Sequence, residues 1–116
     1  MAKVIQLKKI KVGAVSYLNT KPFLYGFEKS GLIHDMDLSV DYPAAVARKL
    51  KAREIDMALL PVAVLPILPS YYFVGDYGIA CDGEVASVAL FSNVPLEQID
   101  TILLDYQSRT SAALLR

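Results

Sequence analysis

The chain has 116 residues, of which 54% are hydrophobic, and its 12 basic residues balance 12 acidic ones, so it can build a small core but has no net charge with which to hold a polyanion. A nucleic-acid partner is not expected. Cys81 is the only cysteine and His34 the only histidine, which excludes an intrachain disulfide and a Cys/His zinc cluster.

Lys3, Lys8, Lys9 and Lys11 interrupt the apolar residues at the start, so they read as a solvated leader with a flanking strand and not as a signal peptide. The longest apolar run, residues 57–68, contains Pro61 and Pro66 and is shorter than the roughly 20 residues of a membrane-spanning helix. The expectation is a cytoplasmic protein with no membrane partner.

Residues 9–15 read as a buried strand, and Thr20 followed by Pro22 opens a helix over residues 21–29. Ser16, Tyr17 and Asn19 then occupy the turn at the carboxyl end of a strand, where open α/β sheets place their ligands. His34 falls in a loop and reads as a surface residue. A second strand is predicted at 38–42 and a helix at 43–53. On that helix Val46, Ala47 and Leu50 share a face, while Arg48, Lys49, Lys51 and Arg53 form a solvated one.

A third strand, 56–60, leads into the loop Leu60-Pro61-Val62 and a short helix over 62–68. Tyr71, Tyr72 and Phe73 line an aromatic pocket or fill the core. Core packing is expected for at least two of them, and alternation sends neighbours to opposite faces. Asp76, Asp82 and Glu84 lie among Gly75, Gly78 and Gly83 without the order of a calcium loop, so they read as turn formers and no metal is expected. Asp82-Gly83 turns into a strand at 85–92, inside which Ser87 is a lone polar side chain that needs a partner. A last strand, 101–105, ends at Asp105, and a helix begins near Ser108 and continues from Thr110. Its free N–H groups, with the Thr110 and Ser111 hydroxyls, form an anion site, or else Ser108 caps the helix and no ligand binds. The alternation of strands and helices predicts an α/β protein with a doubly wound sheet.

Three stretches, VSYLNTKPF at 15–23, GEVASVALFS at 83–92 and LDYQSRTS at 104–111, together resemble the chorismate dehydratase family of the futalosine route to menaquinone. The resemblance implies a type II periplasmic-binding-protein-like fold of two lobes. The chain would then hold a leader (1–8), an incomplete lobe one (9–84), a crossover strand (85–92) and the truncated start of lobe two (93–116), family members being about twice as long. Such a piece is expected to be inactive alone and to self-associate through exposed interlobe surface.

The implied substrate is chorismate, a small dicarboxylate, and no cofactor is implied. The resemblance makes Asn19 the catalytic residue and gives substrate binding to Ser16, Tyr17, Ser87, Thr110 and Ser111. None of these side chains is a good base near neutral pH, and Lys21 would need a strongly depressed pKa. Substrate-assisted catalysis is therefore expected, with the enolpyruvyl carboxylate taking the proton and Asn19 orienting the reacting groups. Two alternatives stand beside the lyase: a non-catalytic binder or sensor of a small anion, and the sister enzyme of the same pathway that forms a dihydroxynaphthoate.

Overall fold

A computed structural model describes residues 8–86 and 88–115. Three parallel strands form its sheet: β1 (Ile10–Val15), β2 (Met36–Asp41) and β3 (Met57–Ala58), in the order β2-β1-β3. The register runs from Ile10 opposite Met36 to Val15 opposite Asp41, and Val12 and Gly13 lie opposite Met57 and Ala58. As the central strand, β1 is covered on both faces, and Val12, Gly13, Ala14 and Val15 are all buried. That is why Val12 to Val15 read as a continuous apolar run without alternation.

Helix α1 (Lys21–Ser30) connects β1 to β2, and α2 (Pro43–Lys51) connects β2 to β3. Both start with proline in the first turn, where its missing N–H costs nothing. Gly31 ends α1 at φ 79°, the left-handed conformation that glycine adopts without a steric penalty. At the end of α2 the backbone folds over through Ala52, and Arg53 takes φ 57°. Arg48, Lys49 and Lys51 fill the last turn of α2 and complement its dipole.

The core lies between α2 and the sheet. Val15, Val46 and Ile55 form its centre, with Leu50, Ala58 and Leu60 packed around them. Gly13 sits beneath this cluster: a Cβ there would lie 2.5 Å from Ile55 Cδ1 and 2.9 Å from Val46 Cγ1. The missing side chain lets α2 approach β1. Two backbone links close the edge near β3, Asp56 N donating to Lys11 O at 2.8 Å and Leu59 N donating to Gly13 O at 2.9 Å.

Beyond β3 the chain makes a 3-10 turn, Val62–Ile67, whose Val64 is fully buried and whose Pro66 prevents a regular α-helix. Residues 69–86 and 88–107 then form an arm of almost entirely exposed side chains, and the last helix, α3 (Arg109–Leu114), packs against the Val62–Ile67 turn. The arm stretches the molecule to 76 × 29 × 21 Å, with a radius of gyration of 18.2 Å against about 13 Å for a compact chain of this length.

Several expectations change here. The strand predicted at 38–42 begins two residues earlier, at Met36, and that predicted at 56–60 pairs only over Met57–Ala58. Among the described residues, 85–92 and 101–105 form no strand. Their apolar pattern is that of a strand, but a strand exists only where its N–H and C=O groups find a neighbouring strand, and no sheet lies beside them. Tyr71, Tyr72 and Phe73 do not fill the core, being 47%, 93% and 78% exposed. Tyr71 and Phe73 meet edge to face at 5.5 Å between ring centroids. The mixed α/β class agrees with the sequence reading; among the described residues the parallel sheet has three strands where five were expected.

Candidate functional site

The strand order β2-β1-β3 has its switch in direction at β1, because the chain leaves β1 toward β2 and later crosses back to β3. In parallel sheets the crevice for a ligand opens at the carboxyl ends of strands at such a point. Val15, Asp41 and Ala58 end the three strands on this edge, and Ser16 to Thr20 follow directly from the central one.

Backbone bonds fix that turn. Ser16 N donates to Asp41 O at 2.9 Å, which extends the β1–β2 ladder by one step, and Thr20 N donates to Tyr17 O at 3.1 Å to close the 3-10 turn Leu18–Thr20. The turn hands over to α1 at Lys21 with no side-chain cap. Ser16, Tyr17, Leu18 and Asn19 are exposed, so the Ser16 hydroxyl, the Tyr17 phenol and the Asn19 amide stand together on one short, backbone-tethered segment.

Thr20 is the exception. It is fully buried, and its Oγ1 has no hydrogen-bond partner among the described residues. An unpaired buried hydroxyl costs about 1 to 3 kcal/mol. The sequence reading treated Thr20 only as a helix start; the Thr-x-Pro spacing located the helix but carried no signal of burial.

Asp41, which sequence reasoning also passed over, braces the same edge. Its Oδ1 accepts from Tyr42 N at 2.8 Å and its Oδ2 lies 3.3 Å from Lys49 Nζ. The Tyr42 amide bond first, and the Lys49 ammonium second, hold the Asp41 carboxyl below its ordinary pKa. One residue thus joins β2, the Ser16 turn and α2.

Of the second predicted cluster, Thr110 and Ser111 lie on α3, while Ser87 lies outside the described residues. Ser108 is the N-cap: its Oγ accepts from Ser111 N at 3.1 Å and lies 2.8 Å from Ser111 Oγ. The capping alternative is therefore realised. It does not exhaust the hydroxyls, because two O–H donors share one mutual bond and the second donor stays uncommitted. The Thr110 Oγ1 is buried and has no partner among the described residues. The main packing of α3 is on the Val62–Ile67 turn, the segment that leaves the carboxyl end of β3.

No general base stands in the Ser16–Asn19 turn. His34 is exposed in the 3-10 turn Leu32–Asp35, which precedes β2 and so belongs to the opposite edge of the sheet. Among the described residues no group of three or more His, Cys, Asp or Glu side chains converges. Two recesses of about 210 and 230 Å³ are lined by Lys11, Asp37, Ser39, Lys49, Glu54 and Ile55, and by Ala47, Arg48, Lys51 and Ile67. Neither contains a predicted site residue, so the Ser16–Asn19 segment is an open ledge. No helix among the described residues is long and apolar enough to cross a membrane.

No solved structure matches the chain at a significant level. A family model described as menaquinone biosynthesis matches residues 10–116, which takes in all of β1, the Ser16–Asn19 ledge and α3. The chain belongs to the menaquinone biosynthesis family.

Proposed function

We propose that the chain is part of a chorismate dehydratase and supplies the ledge on which the substrate is held. The observation that carries this reading is the Ser16–Asn19 turn, exposed at the carboxyl end of the central strand in a member of a menaquinone biosynthesis family. In the proposed two-lobed, periplasmic-binding-protein-like arrangement, residues 9–84 belong to lobe one, 85–92 cross over, and 93–116 open lobe two.

The reaction removes the ring hydroxyl of chorismate together with the hydrogen on the adjacent ether-bearing carbon. That hydrogen is vinylogous to the ring carboxylate, so its departure as a proton sends negative charge to the carboxylate, where N–H and O–H donors stabilise it. The substrate's own enolpyruvyl carboxylate accepts the proton, the hydroxyl leaves with a proton as water, and the ring becomes the aromatic enolpyruvyl ether of 3-hydroxybenzoate. Asn19, with an amide that donates and accepts, orients the reacting groups. Ser16 and Tyr17 contact the substrate from the same turn, and Thr110 and Ser111 offer hydroxyls to a carboxylate. The absence of a basic side chain in the ledge supports a substrate-assisted route, in which positioning and electrostatics carry the acceleration.

The same absence favours one second reading, a binder of small anions that turns nothing over. A panel of chorismate and the cyclised futalosine derivative, given to the whole protein and followed by product detection, separates the readings. Aromatic product from chorismate supports the dehydratase. Retention of chorismate without product supports the binder, and turnover of only the cyclised derivative supports the sister enzyme.

A further inference from the structure

Residues 18–30 form one helix in two parts, because the 3-10 turn Leu18–Thr20 runs into α1 without a break and Thr20 itself is helical, at φ −80° and ψ −21°. The N-cap of the whole is therefore Tyr17, extended at φ −93° and ψ 156°. A helix leaves its first N–H groups without intrahelical partners, and a Ser, Thr, Asp or Asn at the N-cap commonly accepts one of them. Tyr17 makes no such bond, and neither the turn nor α1 has an acidic residue in its first turn. A positive helix end thus stands at the carboxyl end of the central strand with no carboxylate of the first turn to meet it.

The neighbouring amides are committed: Ser16 N donates to Asp41 O, Thr20 N to Tyr17 O and Lys21 N to Leu18 O. Between them, the N–H groups of Tyr17, Leu18 and Asn19 make no hydrogen bond among the described residues, and all three residues are exposed. A second observation points the same way. The fully buried Thr20 has an Oγ1 that also lacks a partner among the described residues. Cα–Cβ bonds of a helix lean toward its N-terminus, so this side chain is turned back toward the same three N–H groups. A buried donor without a partner in the fold calls for one outside it.

We infer that the N–H groups of Tyr17, Leu18 and Asn19, completed by the Thr20 hydroxyl, hold a carboxylate of the ligand. A carboxylate accepts at two oxygens with about four lone-pair sites, which suits several donors converging at one helix start, and no cationic side chain is required. The small-carboxylate class stands on this geometry. Its assignment to one of the two carboxylates of chorismate, with Thr110 and Ser111 taking the other, rests on the proposed dehydratase reading.

Leu18 is the place to test the site. It is the first helical residue and is 78% exposed, and Tyr17 before it already has the extended backbone that proline favours in its predecessor. Leu18→Pro therefore deletes one N–H while the fold is kept, and Leu18→Ala removes the side chain but retains the N–H. The probe is benzoate, titrated into the whole protein up to about 10 mM and followed by NMR at the backbone amides, with benzamide as its uncharged counterpart. Benzoate, unlike benzamide, should shift the Tyr17, Leu18 and Asn19 amide protons saturably. Its dissociation constant should rise at least about tenfold in Leu18→Pro and in Thr20→Val, and less than about threefold in Leu18→Ala. The absence of a saturable shift at these amides overturns the inference, as does parent-like binding by Leu18→Pro or by Thr20→Val. Product formation from chorismate is read separately, so benzoate held here by a protein that forms no product would sink the dehydratase reading and leave the carboxylate site standing.

Discussion

Replacing Gly13 by alanine tests the packing that carries the ledge. The added methyl would stand 2.5 Å from Ile55 Cδ1 and 2.9 Å from Val46 Cγ1, closer than carbon atoms approach without displacement. Ile55 is only 7% exposed and Val46 fully buried and β-branched, so neither can swing away. Overpacking of this kind costs about 1 to 3 kcal/mol, and the stiffer unfolded chain returns about 0.4 to 1 kcal/mol. The expected net loss is about 1 to 2 kcal/mol, read as a fall of roughly 1 M in the urea midpoint with an unchanged slope. Ile55→Val removes the nearer carbon and should cost about 0.5 to 1.5 kcal/mol alone. Combined with Gly13→Ala it vacates the space the new methyl needs, so the double variant should be more stable than the sum of the singles by at least about 0.5 kcal/mol. A Gly13→Ala protein as stable as the parent, or strict additivity in the cycle, would refute the close approach of α2 to β1.

Asp41 gives a pH-dependent prediction. Its folded pKa lies below the ordinary value, so its stabilising contribution is present above about pH 3.9, the unfolded value, and is lost as pH falls through the lower folded value. Asp41→Asn should flatten that part of an acid-unfolding curve, and a curve of unchanged slope there would contradict the bracing role. Thr20→Val removes a buried hydroxyl that has no partner among the described residues, so the ligand-free protein should be no less stable in urea; a loss above about 1 kcal/mol would mean the hydroxyl has a protein partner. For Ser111→Ala in the whole protein, loss of a hydrogen bond to a carboxylate is worth about 1.5 to 3 kcal/mol, so calorimetry should record a rise of tenfold or more in the chorismate dissociation constant. An unchanged constant would leave Ser111 only its place in the Ser108 cap.

The body of the fold was legible where local pattern and tertiary packing agree. The apolar run from Val12 to Val15 marked β1, proline at a helix start marked α1 and α2, and the serine before Arg109 marked the cap of α3. The arm was not legible, because the Val85 to Ser92 and Thr101 to Asp105 segments have strand-like composition while pairing depends on a neighbour that composition does not specify. For the same reason at least two of Tyr71, Tyr72 and Phe73 read as core residues, and all three are exposed. At the ledge, Ser16, Tyr17 and Asn19 could be placed from the strand-to-helix junction alone. Asp41 and Thr20 could not, since their roles arise from a parallel neighbour and from burial, both set by contacts distant in sequence.

The most direct test of the account is Asn19→Ala in the whole protein, comparing the single-turnover rate of chorismate dehydration with chorismate affinity measured separately. Asn19 is exposed on the ledge, so its loss should spare the fold and much of the affinity. If it orients the groups between which the proton moves, the rate should fall by about 100- to 1,000-fold, the loss seen when one well-placed donor to developing charge is removed. A fall of less than about fivefold, far below that benchmark, with affinity intact, would contradict a catalytic Asn19 and move the chemistry away from the ledge.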